Sequence, residues 1–425
     1  MNPGISAMSL NKKDTIGKRN LVLFIAGKFA SLFGTQIYSF AIGLYVLNMT
    51  GSGLSFASTL IFGMLPRVLF GPIAGVIADR FDRKKIVVGM DLICGLLMLL
   101  FYGLSTVNGI RLGYVFLFSF LLTTCNVFFD VSLEASKPNL VDAKHLMRIN
   151  SLGQSITSIA AISGPFLGGL IFALVDIKLF LLINGISFVL SGVSEYFIQF
   201  DYNQSHHSQL PKERKLLWKE MLEGWTFFRS NKMLFNVLSF SILINFILQI
   251  SITVPLPYIL NHVLQMSPEQ FGIINGLWPA GMLLGAILLS FLPEKESLYK
   301  RLILLMTLFV LLIIAVAIPV TPYFSGYSNQ TYFIYYIIIM GFIGFIVALI
   351  DIPFMVLIQR QIPNEIRGRV LSLVSTMAIA IAPLGLLISG LIVDHVPTYF
   401  LPGVGGIILM IRLIFFANNE EIKKI

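Results

Sequence analysis

Twelve apolar runs, each about 20 residues or longer, restrict what this chain can fold into more than any other feature. An α-helix rises about 1.5 Å per residue, so about 20 apolar residues cross a hydrocarbon core about 30 Å thick. The runs lie near residues 21–48, 54–78, 86–107, 112–134, 147–174 and 178–200, and then near 233–260, 268–292, 301–320, 330–358, 368–394 and 398–417. Between them stand charged or turn-rich breaks. Only 12% of the residues are charged, about half the share of a soluble domain. These features predict an all-α membrane protein with twelve spanning helices.

The loops give the direction. Short loops keep Lys and Arg on the cytoplasmic side, and all but five of the 30 lie at the amino terminus, in alternate loops, between the sixth and seventh runs, or in the tail. Of the five, Arg111 and Lys178 fall on the opposite side, and Lys28, Arg67 and Arg412 fall inside runs. Both termini are therefore expected in the cytoplasm, with the chain in the cell membrane. The same basic rim accounts for the net charge of +9 without a nucleic-acid partner. The first run is too long for the apolar core of a signal peptide, about 7 to 15 residues, so it is expected to remain as a span.

Other classes find little support. Cys94 and Cys125 lie inside neighbouring runs and read as packing residues rather than a disulfide framework. There is no GxxxxGK[ST] phosphate cradle, no HExxH and no CxxC. His206 and His207 sit in a polar stretch and read as solvated loop residues. The expectation is no metal, no cofactor and no enzymatic activity.

Residues 201–215 form the long polar tract between runs six and seven, dividing the chain six and six. Leu216, Leu217, Met221, Trp225 and Phe228 follow at helical spacing, with Lys219, Glu220, Glu223 and Arg229 between them. That pattern predicts an amphipathic helix at the cytoplasmic interface. The expected organisation is residues 1–200, a linker over 201–232, and residues 233–425. A shift of 221 residues aligns Asp130–Ile171 with Asp351–Ile392 without a gap, pairing Asp130 with Asp351, Arg148 with Arg369, Gly164 with Gly385 and Gly169 with Gly390. Duplicated, like-oriented halves of six helices predict a substrate site at their interface near the bilayer midplane.

The stretch GVIADRFDRKK, Gly75–Lys85, joins the second and third runs. It resembles the GxxxDRxGRR/K signature of the major facilitator superfamily, matched by Gly75, Asp79, Arg80, Arg83 and Lys84, with Asp82 in place of the usual glycine. The resemblance implies the superfamily fold of two pseudo-symmetric six-helix bundles, and a role for this loop in latching the outward-open state. Asp79 could accept hydrogen bonds from a neighbouring helix terminus, and Arg83 could pair with a carboxylate near the base of the fourth run. The alternative is a basic loop that only sets topology.

SGPFLGG in the fifth run resembles the GPxxGG element of the superfamily's antiporter motif through Gly164, Pro165, Gly168 and Gly169. Small residues allow close helix approach and proline bends a helix, so generic packing is the other reading; the resemblance implies export. The stretches LFGPIAGVIADRFDRKKIVVGMDLI and GRVLSLVSTMAIAIAPLGLLISGLIVD resemble macrolide-efflux transporters, and related siderophore and lysophospholipid exporters share much of the pattern. Thr123 and Thr124 stand where some drug:proton antiporters carry an arginine in the fourth helix.

A charge at the bilayer centre costs about 2.5 to 3.5 kcal/mol on insertion scales, so those retained there point to a partner or a function. Asp130 and Glu134 share a face at a spacing of four, with Asp351 at the equivalent level in the second half. They are the proton-coupling candidates, unless Asp130 or Glu134 simply pairs with Arg83. Asp91 and Glu195 read as rim residues paired with loop cations. Lys28 reads as a snorkelling lysine. Arg67 shares a face with Gly63, Gly71 and Gly75, where small residues suggest a helix contact, and it is expected to hold substrate or pair with a coupling carboxylate. Thr35, Gln36 and Ser39 in the first run, with Asn245 and Gln249 in the seventh, complete the substrate-cavity candidates; interhelical hydrogen bonding is the alternative.

The expectation is a monomeric secondary transporter, surrounded by lipid, that exports small amphiphilic drugs such as macrolides in exchange for protons by alternating access. A siderophore or lysophospholipid exporter of the same fold is the alternative, and a non-transporting receptor or scaffold is the alternative of another class.

Overall fold

A computed structural model describes residues 3–142, 145–200, 226, 231–291, 299–324, 326–362, 377 and 380–423. The described chain is helical throughout. In order the helices are α1 (Pro3–Thr50), α2 (Gly53–Arg80), α3 (Arg83–Asn108), α4 (Leu112–Leu140), α5 (Leu146–Leu174), α6 (Ile177–Tyr196), α7 (Lys232–Val263), α8 (Pro268–Phe291), α9 (Tyr299–Ala317), α10 (Asn329–Gln361), α11 (Ala382–Val393) and α12 (Phe400–Ala417). All except α11 are long and apolar enough to cross a membrane, and α11 is a shorter apolar helix. Much of the eleventh run, and the amphipathic stretch expected over 216–232, lie largely outside the described residues.

Side chains that satisfy free backbone N–H groups mark several helix starts. Asp82 caps α3 by accepting from the N–H groups of Lys84 and Lys85. A carboxylate cap thus makes the turn at the position where the loop signature carries glycine. Asp176 caps α6 through Lys178, Asn231 caps α7 through Leu234, and Ser328 caps α10 through Thr331.

Two boundaries differ from the sequence reading in ways that matter. α4 continues to Leu140, beyond the end expected at 134. Lys137, expected in a loop, is therefore a helical residue, and it is buried with its ammonium on Glu134. The seventh run, expected as one regular helix, changes winding at Gln249–Thr253 and again at Ile259–Val263, where it makes π-helical turns. Pro255 and Pro257 lack the N–H that a regular helix would donate four residues back, and the wider turns absorb that mismatch on either side of Pro255–Tyr258.

The chain divides into two compact units, Met1–Tyr45 with Phe62–Leu210, and Val46–Ile61 with Pro211–Ile425. In the first unit, α3 and α6 approach closely where Gly95 faces the Gly185 carbonyl and Val189. Below them Leu21, Phe24, Val87, Phe129, Leu133, Ile149 and Ile198 close an apolar core. α2 meets α4 through rings: Phe62 stacks on Phe116 with centroids 5.0 Å apart, and Phe70 lies edge-on to Phe120 at 6.2 Å. Within the first unit the glycine face of α2 makes no close approach, since a methyl group added at Gly63, Gly71 or Gly75 meets no described atom within 4 Å. The aromatic face, not the small-residue face, holds α2 to its neighbour.

In the second unit α8 and α10 make the close approach, with Gly344 against the Trp278 carbonyl and Gly285 against that of Phe345. The first residues of α2 belong here too. The Asp394 carboxylate accepts from Ser52 Oγ at 2.9 Å, from the Gly53 N–H at 2.7 Å and from the Leu54 N–H at 3.4 Å, and so caps α2 from the end of α11.

Candidate functional site

The charged groups of the first unit form separate clusters, each with its own partners. α4 carries Asp130 and Glu134 one turn apart, as their spacing of four requires. Glu134 binds Lys28 of α1 at 2.6 Å and, through its other oxygen, Lys137 of α4. Lys137 also donates to Asn150 of α5 at 3.1 Å, and both lysines sit over the Phe24 ring with ammonium-to-centroid distances of 5.8 Å. Gly153 of α5 faces both ammonium groups, and a methyl added there would stand 3.5 Å from either, in ordinary contact. The snorkelling expected of Lys28 is therefore not observed: its side chain is only 10% exposed and bound to a carboxylate. An ammonium turned inward keeps its charge compensated when a partner of opposite sign lies within reach.

Asp130 takes a different cation. Arg67 of α2 lies 3.7 Å from it, with both side chains partly exposed. Neither acid pairs with Arg83, the alternative left open by the sequence. Arg83 instead donates to the Ala135 carbonyl of α4 at 2.7 Å, to the Ala78 carbonyl at 2.9 Å and to Asp79 at 3.2 Å. The loop signature is thus tied to the base of α4 through a backbone carbonyl rather than a carboxylate, with an arginine fork spanning three acceptors. Arg80 ends α2 and Lys84 stands in the first turn of α3, where it lies over the Tyr196 ring at 4.8 Å. Asp351 of α10 is exposed.

The neutral candidates divide between packing and exposure. Thr35 accepts from Asn126 of α4 at 3.2 Å, and Asn126 accepts in turn from Cys94 of α3, whose thiol, like that of Cys125, is free. Ser39 is exposed. Asn245 donates to the Ser241 carbonyl one turn back at 3.0 Å. Gln36 and Gln249 hold matching positions in the two units. A methyl added at Gly164 of α5 would stand 2.8 Å from Gln36 Cβ, and one added at Gly385 of α11 would stand 2.8 Å from Gln249 Cβ. Gly164 and Gly385 are the pair matched by the 221-residue shift, so the repeat is also a repeat of contact. Gly168, one turn from Gly164, meets Phe40 in the same way at 2.8 Å, and Pro165 lies between them inside α5. Gly169 is buried beside them.

Asp91 and Glu195 depart furthest from expectation. Read as rim residues paired with loop cations, they are 0% and 1% exposed, and neither forms an ion pair with a described residue. Ser31 of α1 donates to Asp91 at 2.7 Å. Their positions near helix ends suggested the rim; the close approach of α3 to α6 buries them instead. A usable signal for Glu195 was Ser191 one turn before it on α6; Asp91 has no such serine on its own helix and takes Ser31 from the polar stripe of α1.

The profile of the Major Facilitator Superfamily matches residues 24–383. Macrolide efflux protein A of Streptococcus pyogenes is 26% identical over 400 residues, which cover 94% of this chain and 96% of that protein. Macrolide efflux protein A of Enterococcus faecalis is 26% identical over 336 residues, covering 79% of this chain and all of that protein (100%). Among solved structures, an inward-facing bacterial homologue of the iron transporter ferroportin superposes with a TM-score of 0.67 at 18% identity, over 94% of this chain and 99% of that one, a likeness of fold. The profile begins in α1 and ends in α11, taking in the loop signature, the paired charges and the Gly164–Gln36 contact, and the chain therefore belongs to the Major Facilitator Superfamily as a membrane transporter rather than an enzyme.

Proposed function

We propose that this transporter exports amphiphilic drugs, macrolides among them, in exchange for protons, by alternating access. The observation that carries the reading is similarity along nearly the whole chain to proteins named for macrolide efflux. The GPxxGG element supports it through its tight contact with α1. In this reading residues 1–200 and 233–425 are the two moving halves, 201–232 links them on the cytoplasmic side, both termini are cytoplasmic, and the protein works as a monomer in the cell membrane. Thr35, Gln36, Ser39, Arg67, Asn245 and Gln249 supply polar contacts to substrate.

For coupling we assign the leading part to Asp130 and its repeat partner Asp351. The Arg67–Asp130 pair, at 3.7 Å, is long for an ion pair, so a proton arriving on Asp130 would break a loose contact rather than a tight one. Glu134, held between two lysines, sets the charge of the surrounding network. Gly75, Asp79, Arg80, Arg83 and Lys84 form the loop latch that the superfamily resemblance implies.

The test uses the purified full-length protein in liposomes with an imposed pH gradient, measuring accumulation of a macrolide and of a fluorescent dye. Gradient-driven accumulation is expected, with Asp130→Asn and Asp351→Asn each uncoupling uptake from the gradient. Accumulation that ignores the gradient in the unsubstituted protein rules out proton antiport.

A further inference from the structure

The mechanism proposed above makes no use of Asp91 and Glu195, yet these are the least solvated acids among the described residues. Asp91 Oδ1 and both oxygens of Glu195 are buried without a hydrogen-bond partner among those residues. A chain of hydroxyl groups runs from Asp91 towards Glu195. Ser31 Oγ donates to Asp91 Oδ2 at 2.7 Å and lies 3.2 Å from Ser191 Oγ, which reaches the Gly27 carbonyl at 3.3 Å. Glu195 stands one turn beyond Ser191 on α6, and the two carboxyl groups interact electrostatically.

Among the described residues no cation forms an ion pair with either acid. On α1, Lys28 is held by Glu134, and Arg19 donates to the Phe197 carbonyl. On α3, Lys84 lies over Tyr196, and the other titratable group near Asp91 is Cys94. α4 presents only Cys125 and Asp130, the second already facing Arg67. Two carboxylates buried together and facing no counter-charge among the described residues strongly disfavour both being ionised.

The packing selects the compensating charge. A methyl group added at Gly27 would stand 2.5 Å from Glu195 Oε1 and 2.9 Å from its Cγ, so the side chain lies hard against the α1 backbone. A metal ion held by oxygen ligands requires about six to eight of them arranged around its own volume. A proton requires no volume. We infer that Asp91 and Glu195 form an intramembrane proton-binding pair where α1, α3 and α6 meet, with Ser31 and Ser191 ordering its hydrogen bonds. The bound proton holds the pair at one negative charge and keeps α6 seated on α1 and α3; losing it leaves two adjacent buried charges that those helices must open to hydrate. The inference extends the proton-coupled reading above but does not need transport for its test.

The test is difference infrared spectroscopy of the full-length protein in lipid nanodiscs, following the C=O stretch of protonated carboxyl groups on exchange from H₂O to D₂O. A band from buried, protonated acid is expected at neutral pH. Asp91→Asn and Glu195→Gln should each diminish it, and the double substitution should abolish it, whereas Asp130→Asn leaves it in place. Asn and Gln are neutral counterparts of the protonated acids, so both variants are expected to fold. Ser31→Ala provides a second reading, since loss of its hydrogen bond to Asp91 shifts the band to higher frequency without removing either acid. Absence of the band in the unsubstituted protein, its survival in the double variant, or its replacement by a carboxylate signal on adding calcium or sodium overturns the inference. Loss of gradient-driven uptake with an unchanged band would count against the coupling mechanism alone.

Discussion

Gly164→Ala offers a direct measure of how closely α5 must approach α1. The added methyl carbon would stand 2.8 Å from Gln36 Cβ, whereas carbon atoms pack without repulsion at about 3.5–4.0 Å. The two helices would have to separate by about 1 Å along that line, because no rotamer change at Gln36 moves its Cβ. Overpacking of this kind costs about 1–3 kcal/mol. Gly385→Ala meets Gln249 Cβ at the same 2.8 Å and also the Phe246 carbonyl oxygen at 3.0 Å, which no rotamer change relieves; its cost belongs at the upper end. The assay is unfolding in mixed micelles titrated with SDS, run as a double-mutant cycle with Gln36→Gly. That substitution removes the obstructing atom, and the cycle cancels its own helix penalty of about 0.5–1 kcal/mol. If Gly164→Ala costs the same in the Gln36→Gly background as in the parent, or costs nothing in either, the steric argument is wrong.

Two further perturbations address the polar network. Glu134→Gln leaves the ammonium groups of Lys28 and Lys137, which are 10% and 8% exposed, with no carboxylate between them. Breaking a pair of this kind costs about 3–5 kcal/mol when fully buried; because Glu134 is itself partly exposed, a loss near or below the lower figure is expected by the same titration, largely restored by adding Lys28→Met. Asp394→Ala strips Ser52, Gly53 and Leu54 of their shared acceptor and should destabilise by about 1–2 kcal/mol, as loss of a helix cap does. A melting temperature unchanged by Asp394→Ala would show that the start of α2 does not depend on this cap.

The spans were legible because hydropathy and helix length are local quantities. Boundaries near residues 108, 146, 174 and 177 could be read from the break residues alone. The irregular winding of α7 was harder to see: Pro255 and Pro257 are visible in the sequence, yet the apolar side chains around them continue without interruption, and hydropathy carries no record of backbone register. Lys28 and Lys137 show a different limit. Depth within a bundle depends on partners, and the carboxylate that allows Lys28 to turn inward lies 106 residues away. Position along one helix suggested a lysine reaching for the interface; the bundle supplied a cheaper arrangement for its charge.

Asp91 and Glu195 fit the same argument from the opposite side. Each was read as a rim residue from its distance to a helix end, which assumes that solvent reaches that depth. The glycines that bring α3 against α6 remove that solvent, so small residues chosen for packing decide the state of acids one or more turns away. The matched contacts Gly164–Gln36 and Gly385–Gln249 make the companion point. Sequence identity across the repeat is thin, but the steric requirement is the same in both units, down to an equal clearance. The charges do not follow that symmetry: Asp130 faces an arginine and Asp351 is exposed. A duplicated scaffold thus keeps its close approaches in register while the acids on it take different surroundings, and surroundings set how readily a carboxyl group holds a proton.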